Sequence, residues 1–282
     1  MRVADNSGTQ CYGCSVASQI VQHLLVAWAI AASIQLLLWL ISLRSKNAGI
    51  VDVGWALSFT PIVGYFAWRS TLPVLPVALI AGVVAAWSVR LGGYLLLRGA
   101  AHGPEEGRYR HLRDRWQPHA DRSFFVFFQV QALLSGFLSI AFVVPMLMLP
   151  RSGGDPMASP WLLIGLAVCT LGIVGETIAD SQLAEFKKTA AREDVCNVGM
   201  WSWSRHPNYF FESMYWAGWG IVGFGYQHGY IAWASCLLLT ASIFRVTGIP
   251  ATEAQALRSK GEAYRGYQQR TSVFFPWPPR KR

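Results

Sequence analysis

Long apolar runs recur along the whole chain, and short polar segments separate them. A helix needs ~20 mostly apolar residues to cross a hydrocarbon core ~30 Å thick, so each long run is a candidate membrane span. The pattern predicts an all-α polytopic membrane bundle with a transmembrane helix in each run. The last two runs are short for a span and would have to be tilted, extended or broken. The seven runs are Ile20–Leu43, Ile50–Trp68, Leu72–Leu97, Phe124–Leu149, Trp161–Ile178, Tyr209–Phe224 and Tyr230–Phe244.

The overall composition supports this membrane class. Of 282 residues, 53% are hydrophobic and only 14% are charged, which argues against soluble domains. The first 19 residues are polar and lack the basic start and apolar core of a cleaved signal peptide. We expect a polar segment over residues 1–19 and a single membrane domain over residues 20–282. Cys11 and Cys14 form a lone CYGC without the two further ligands of a zinc site, so no metal is predicted; a redox pair or chance spacing stays open.

The basic residues are concentrated in alternate loops. Because cytoplasmic loops carry an excess of Lys and Arg, this asymmetry predicts an external N-terminus and a cytoplasmic tail from about residue 246. It also explains the net charge of +9 without a nucleic-acid partner, and anionic membrane lipids suit the basic face. The membrane would be a bacterial inner membrane or, in a eukaryote, the endoplasmic reticulum. The basic loop residues include Arg44, Lys46, Arg98, Arg108, Arg110, Arg113, Arg115, Arg122, Lys187, Lys188, Arg192 and Arg205.

Two polar segments predict helices outside the apolar runs. The loop between Gly99 and Arg122 contains GPEEGRYRHLRDRW, which is typical of a short amphipathic helix. The segment from Gly248 onward predicts a helix followed by an extended aromatic end. In that helix Leu257, Tyr264 and Tyr267 are spaced three or seven apart, and we expect them on one face.

A polar turn directly precedes the sixth apolar run. Pro207 suits the first turn of the helix that follows, because its ring fixes φ near the helical value. A helix N-terminus together with Arg205 favours an anion such as a phosphate. An alternative is that Arg205 and His206 flank a membrane span at the headgroups. The turn concentrates Arg205, His206, Asn208 and Tyr209 within five positions.

Several ionisable or polar side chains fall inside the apolar runs or at their ends, where burying a charge costs at least a few kcal/mol. Glu176 and Asp180 are four apart and share a helix face. Single pairs, for instance Asp52 with Arg90, are equally explained as salt bridges between helices. Acids that accept ribose hydroxyls and cations that face phosphates together predict a dinucleotide pocket, although the soluble G-x-G-x-x-G context is absent. The side chains are Asp52, Arg90, Tyr94, Gln129, Glu176, Asp180 and Arg245.

Several spaced motifs resemble the steroid 5α-reductase-like membrane superfamily. The likeness is carried by SRHPNYFFE at 204–212, ETIADSQLAEFKK at 176–188 and EAYRGYQQRTSVFFPWPP near the C-terminus. VDVGW at 51–55 and EEGRYRHLR at 105–113 add to it. The sequence is most similar to a bacterial branch of uncharacterised domain proteins, from about Gly49 onward. The superfamily also includes sterol reductases and isoprenylcysteine carboxyl methyltransferases, whose RHPxY turn is similar.

The resemblance implies a reductase that uses NADPH. The substrate would be an α,β-unsaturated ketone, a steroid-like or other hydrophobic lipid from the bilayer. Hydride would pass to its β-carbon while an acidic group polarises the carbonyl. Lys187 and Arg205 would then face the cofactor phosphates, with Glu176 and Asp180 on its nicotinamide and adenosine side. The implied cofactor-binding residues are Glu176, Asp180, Lys187, Arg205, His206, Asn208, Tyr209, Glu212, Arg245, Glu253, Tyr264 and Tyr267.

The catalytic positions depart from those of the steroid reductases, which use a Glu on the second span and a Tyr on the third. Here Asp52 stands for the Glu, and Trp87 stands where the Tyr would align. We therefore expect Asp52, Tyr94 and Arg90 to be catalytic, with a buried carboxylic acid donating a hydrogen bond to the carbonyl. The alternative is an S-adenosylmethionine-dependent lipid or prenyl-protein methyltransferase, which shares the RHPxY turn. A non-catalytic transporter or scaffold is the second alternative.

Overall fold

A computed structural model describes residues 7–100, 105, 107–191, 193–245 and 248–280. For residues 7–16 and residue 100 it describes the backbone alone, so Cys11 and Cys14 lie outside the described side chains. The described part of the chain is helical and contains no β-strand, which confirms the predicted all-α class. The helices are α1 (Ser7–Ser45), α2 (Ile50–Arg69), α3 (Val74–Leu95), α4 (Gly107–Arg115), α5 (Ala120–Leu138), α6 (Ile140–Leu147), α7 (Pro160–Thr189), α8 (Pro207–Gly223), α9 (Trp233–Arg245) and α10 (Ile249–Arg270).

Six stretches of the described residues are long and apolar enough to cross a membrane. Large apolar side chains stand on their outer surface, as expected for contact with lipid; Leu37 and Leu133, for example, are both 61% exposed. The chain is therefore an integral membrane protein with a polytopic helical bundle. The six stretches are Ala17–Ser45, Ile50–Arg69, Val74–Gly99, Ala120–Leu147, Pro160–Thr189 and Gly229–Arg270.

The predicted span Tyr209–Phe224 corresponds to α8, which is not among these six. α8 has 17 residues. At ~1.5 Å per residue it is about 25 Å long, shorter than a hydrocarbon core of ~30 Å. Its large side chains are packed inside the protein, since Trp216 and Trp219 are fully buried. α8 is therefore the predicted run that is not among the six candidate spans.

The chain divides into two compact units, Met1–Pro156 and Met157–Arg282. Unit 1 contains α1 to α6, and unit 2 contains α7 to α10. The amphipathic helix predicted between Gly99 and Arg122 is confirmed as α4 in unit 1. The grouping of the whole chain from residue 20 into a single domain stays a prediction.

Glycines allow α7 and α8 to pack closely in unit 2. A Cβ at Gly172 would lie 2.8 Å from the amide nitrogen of Tyr215, and one at Gly165 would lie 2.7 Å from the carbonyl oxygen of Gly218. On α8, a Cβ at Gly218 would lie 2.5 Å from the sulfur of Cys169. The two backbones therefore approach as they do at the small-residue interfaces of membrane helices. This contact fixes the register of the side chains at the candidate site.

α10 bends back on itself at Gly261, whose φ of 52° lies in the left-handed region. Glu253 and Gln268 would be about 22 Å apart along a straight helix, yet their side chains are joined by a 2.9 Å hydrogen bond. The predicted continuous face that carries Leu257 together with Tyr264 is therefore wrong, because the helix axis changes direction between them. α10 also lies outside the apolar part of its stretch, since it contains Glu253, Arg258, Lys260, Glu262, Arg265 and Arg270.

Candidate functional site

The register of α7 and α8 brings their buried acids together in unit 2. Gly172 packs against Tyr215, and two turns further along α7 the amide of Asn208 donates to Asp180 over 3.4 Å. The helices are thus antiparallel, and this register puts Glu176 level with Glu212. Glu176, Asp180 and Glu212 are 5%, 3% and 7% exposed. The predicted acid pair of α7 therefore faces the first turns of α8, as a common site requires.

The polar turn before α8 is held by the end of the chain. The amide of Arg205 donates to the carbonyl of Ser272 over 2.8 Å, and the hydroxyl of Ser204 donates to the carbonyl of Phe274 over 2.8 Å. Ser204 also accepts from the amide of His206 over 3.1 Å. Pro207 then begins α8, as its fixed φ predicts. The turn is consequently a fixed structural element, with its side chains held in defined directions.

Four side chains donate to the carboxylate of Glu253. Arg205 Nε is 2.6 Å from Glu253 Oε1, and His206 Nε2 is 3.3 Å from the same oxygen. Gln268 Nε2 donates to Oε2 over 2.9 Å, and Tyr264 Oη donates to Oε1 over 3.4 Å. We call these four donors the Glu253 cradle. The cradle lies inside unit 2 and is well shielded, since the side chains of Arg205, His206 and Glu253 are 11%, 3% and 16% exposed.

Arg205 also stabilises the C-terminal end of α10. Its Nη1 donates to the carbonyls of Gln268 and Thr271 over 3.0 and 2.7 Å. These carbonyls have no partner within the helix, and a cation there is favoured by the helix dipole. Arg205 therefore joins the turn before α8 to both arms of the bent α10. The first arm is the part of α10 before Gly261, and the second arm is the part after it.

The cradle keeps the Glu253 carboxyl ionised. Burial by itself would raise the pKa of Glu253, but the hydrogen bonds from His206 and Arg205 outweigh it and lower the pKa to about 2. The carboxylate is therefore charged over the whole physiological range. The ionised carboxylate of Glu253 is the anion that the four donors bind.

The remaining predicted cofactor residues of unit 2 have different surroundings. Tyr209 stacks on His206 with ring centroids 5.4 Å apart, and its hydroxyl is 3.2 Å from that of Thr252. Tyr267 is buried and donates to the carbonyls of Trp201 and Ser204. Lys187 and Arg245 are exposed, at the ends of α7 and α9. The structure thus brings Arg205, His206, Glu253, Tyr264 and Tyr267 together, whereas Lys187 and Arg245 lie at helix ends.

In unit 1, Asp52 contacts residues that the sequence analysis did not select. Its carboxylate accepts from the guanidinium of Arg108 and from the hydroxyl of Tyr109, the latter over 2.8 Å. Tyr109 is 2% exposed. Asp52 is therefore in contact with a phenol, that of Tyr109 on α4. The resemblance would place a tyrosine on α3, where this chain has Trp87. The dense charges of EEGRYRHLR were the available signal for this contact, but the sequence could not show that α4 packs beside α2.

The other predicted catalytic side chains lie on α3. The guanidinium of Arg90 is 5.8 Å from the ring centroid of Tyr94, a cation–π arrangement. Trp87 is fully buried and packs edge-on against Phe59 and Trp55 at 5.3 and 5.8 Å. Trp87 is thus an aromatic core residue. The catalytic assignment of Asp52, Tyr94 and Arg90 stays a prediction.

A second ionic group in unit 1 fixes the start of α2. Glu105 Oε1 accepts from the amide of Ala48 over 2.8 Å. Arg113 donates to both oxygens of Glu105, over 2.9 and 2.8 Å, and its Nη1 is 3.4 Å from Asp121. Burial alone would raise the pKa of Glu105, but the hydrogen bonds from Arg113 and Ala48 outweigh it and lower the pKa. The two motifs VDVGW and EEGRYRHLR are therefore joined by the ionic contact Asp52–Arg108, whereas the pair Glu105–Arg113 lies within the second motif.

The comparisons with known proteins identify the class of the chain. A family described as "Protein of unknown function (DUF1295)" matches residues 38–271, and the chain belongs to this family. An uncharacterized protein of the yeast Schizosaccharomyces pombe is 24% identical over 273 residues, which are 85% of this chain and 75% of the relative. No solved structure matches the chain. The predicted likeness to uncharacterised domain proteins is confirmed, whereas the wider reductase superfamily stays a prediction.

Proposed function

We propose that the protein is an NADPH-dependent reductase of a hydrophobic α,β-unsaturated ketone that enters from the bilayer. One observation carries the proposal: in unit 2, buried acids lie next to a cluster of cationic and polar donors at the start of α8. Asp180 and Asn208 are hydrogen-bonded, and Arg205 and His206 are the next polar residues of the same turn. This combination suits a ligand that has both hydroxyl or amide groups and phosphates.

The donor chemistry of unit 2 fits this cofactor. Asp180 and Glu176 offer carboxylate oxygens to ribose hydroxyls or to the carboxamide. Arg205 and His206 offer N–H donors to phosphate oxygens, and Asn208 can serve either kind of group. NADPH, when bound, would supply the hydride. S-adenosylmethionine has no phosphate, so in the alternative methyltransferase its single carboxylate would be the only anionic group available to Arg205 and His206.

In unit 1, we propose that Asp52 acts on the carbonyl oxygen of the substrate together with Tyr109. Hydride addition to the β-carbon makes an enolate, whose oxygen is stabilised by hydrogen-bond donors; a proton from water then completes the α-carbon. Tyr109 joins Asp52, Tyr94 and Arg90 among the residues proposed to act at the carbonyl, because a neutral phenol can donate a hydrogen bond.

The proposed orientation follows the basic loops. The C-terminus and the basic loop before α5 would face the cytoplasm, where NADPH is found and where anionic lipids attract Lys and Arg. The membrane would be a bacterial inner membrane, or the endoplasmic reticulum in a eukaryotic host.

The activity is tested by NADPH consumption. The detergent-purified full chain is mixed with NADPH and each member of a panel of lipid enones, and the absorbance at the NADPH band is followed. We expect oxidation with at least one enone and its loss in Asp180→Asn, with a saturated ketone of the same skeleton as the control. Equal NADPH oxidation with the saturated ketone, or an unchanged rate in Asp180→Asn, would contradict the proposed chemistry.

A further inference from the structure

The Glu253 cradle has the composition of a phosphate-binding site. Arg205 Nε, His206 Nε2, Gln268 Nε2 and Tyr264 Oη converge on the two oxygens of one carboxylate within 2.6 to 3.4 Å. All four are donors from long side chains, and the guanidinium provides the planar geometry that suits oxyanions. The carboxylate that they bind belongs to the chain itself, since Glu253 lies on the first arm of α10.

We propose that Glu253 occupies an oxyanion-binding site and is displaced there by a phosphate group of the ligand. A carboxylate and a phosphate make the same charge-assisted hydrogen bonds, and the phosphate brings more acceptor oxygens. In the resting protein, the oxyanion-binding site is then occupied by the carboxylate of Glu253. Arg205 stays attached to the end of α10 through the carbonyls of Gln268 and Thr271 while its Nε changes partner.

The bend in α10 provides a way for Glu253 to leave. Glu253 lies before Gly261, whereas Tyr264 and Gln268 lie after it, so the displaced carboxylate and two of its donors are on different arms of the helix. A Cβ at Gly261 would meet no atom within 4 Å, and its backbone conformation is one that glycine adopts at little cost. The first arm can therefore change direction at Gly261 without disturbing packed side chains at that residue.

The proposal rests on the proposed function for the identity of the ligand, but the oxyanion site is testable without NADPH. Pyrophosphate is the probe, titrated by calorimetry into the detergent-purified full chain. If Glu253 closes the site for at least nine-tenths of the time, its removal strengthens apparent binding by about tenfold or more. We expect this gain in Glu253→Ala.

The matched control is Glu262→Ala, which removes the same charge one residue beyond the bend. Glu262 is 86% exposed and has Arg265 at 3.5 Å, so pyrophosphate affinity should stay within about twofold of the unmodified chain. Adding Arg205→Gln to Glu253→Ala should abolish the gain. Equal pyrophosphate affinity in Glu253→Ala and the unmodified chain would overturn the proposal, as would an equal gain in Glu262→Ala.

A second measurement uses the unmodified chain and covers the case in which Glu253→Ala does not fold. Carboxyl groups are labelled with a carbodiimide and an amine, with and without saturating pyrophosphate, and Glu253 and Glu262 are quantified by mass spectrometry. Displacement predicts a severalfold rise in labelling of Glu253 and none in Glu262. Unchanged labelling of Glu253 would refute displacement.

Titration of NADPH in the same variants separates the two proposals. Tighter pyrophosphate binding by Glu253→Ala without any NADPH binding supports the oxyanion site and contradicts the reductase. NADPH binding that is unaffected by Glu253→Ala supports the reductase and overturns the displacement of Glu253.

Discussion

Replacement of Glu105 by Gln should destabilise unit 1, because one carboxylate there joins two elements. The Glu105 side chain is only 8% exposed. It accepts two hydrogen bonds from Arg113 and one from the backbone amide of Ala48, directly before α2. In Glu105→Gln the charge disappears, and an NH2 group takes the place of one acceptor opposite these donors.

The size of the effect follows from the burial of the pair. Breaking a fully buried ion pair costs about 3–5 kcal/mol. Arg113 is 17% exposed and keeps a contact with Asp121 at 3.4 Å, so the cost should be lower. We expect a loss of about 2–3 kcal/mol, near the upper end for charged hydrogen bonds. At roughly 2–4 °C per kcal/mol for a domain of this size, Tm should fall by about 5–10 °C.

The assay is thermal unfolding of the purified protein, followed by intrinsic fluorescence. The matched control is Glu185→Gln, because Glu185 is 73% exposed in its pair with Lys188. Such surface pairs contribute about 0–1 kcal/mol, so the control Tm should change little. A Glu105→Gln protein that unfolds within about 1 °C of the unmodified chain would refute the reasoning.

The same contact predicts a pH dependence. The pKa of Glu105 is lowered in the folded protein from its ordinary value of 4.5. Its stabilisation is therefore complete above the pKa of the unfolded chain and is lost as pH falls through the folded pKa. The Tm difference between the unmodified chain and Glu105→Gln should be full at pH 7 and should shrink below a pH of about 4.5. A difference that is constant down to strong acid would contradict the ionic origin.

Three further predictions concern packing, binding and turnover. Gly172→Leu should destabilise the fold by at least about 3 kcal/mol and reduce the folded yield, because the new side chain meets the backbone of α8. Gly82→Leu is the control, since a side chain there has open space and the protein should fold. The two variants are compared by their yield of folded protein in size-exclusion chromatography. Asn208→Ala should weaken NADPH binding at least about tenfold while membrane insertion persists, measured by titration and by membrane fractionation. Asp52→Asn should spare NADPH affinity and lower kcat at least about tenfold; equal loss of affinity and folded yield would make Asp52 structural.

The membrane fold was largely predictable from the sequence, because hydropathy alone selects helices that must satisfy their own backbone groups. The boundaries of α2 therefore follow its apolar run closely, whereas α7 begins with its run but continues past Ile178 to Thr189. The bend in α10 was not predictable in the same way. A single glycine in a polar helix is compatible with a straight helix as well as with a bent one, so Gly261 by itself did not indicate the bend.

The candidate site was predicted in part. Asp180 and Asn208, both marked by the sequence, are hydrogen-bonded in unit 2, and their role in a common site stays a prediction. The partners of these residues could not be predicted, because pairs such as Arg205–Glu253 and Asp52–Arg108 join segments tens of residues apart. Arg205 illustrates the difference, since the sequence indicates an anion near it and the structure identifies the carboxylate of Glu253.

The most direct test of the proposed function is a side-by-side titration of NADPH, NADH and S-adenosylmethionine into the detergent-purified full chain. The buried acids and the phosphate-matching donors of unit 2 predict selective, saturable binding of NADPH, weakened in Asn208→Ala. Selective binding of S-adenosylmethionine would contradict the reductase in favour of a methyltransferase, and binding of none of the three would leave the polar residues of α7 and α8 with a structural role.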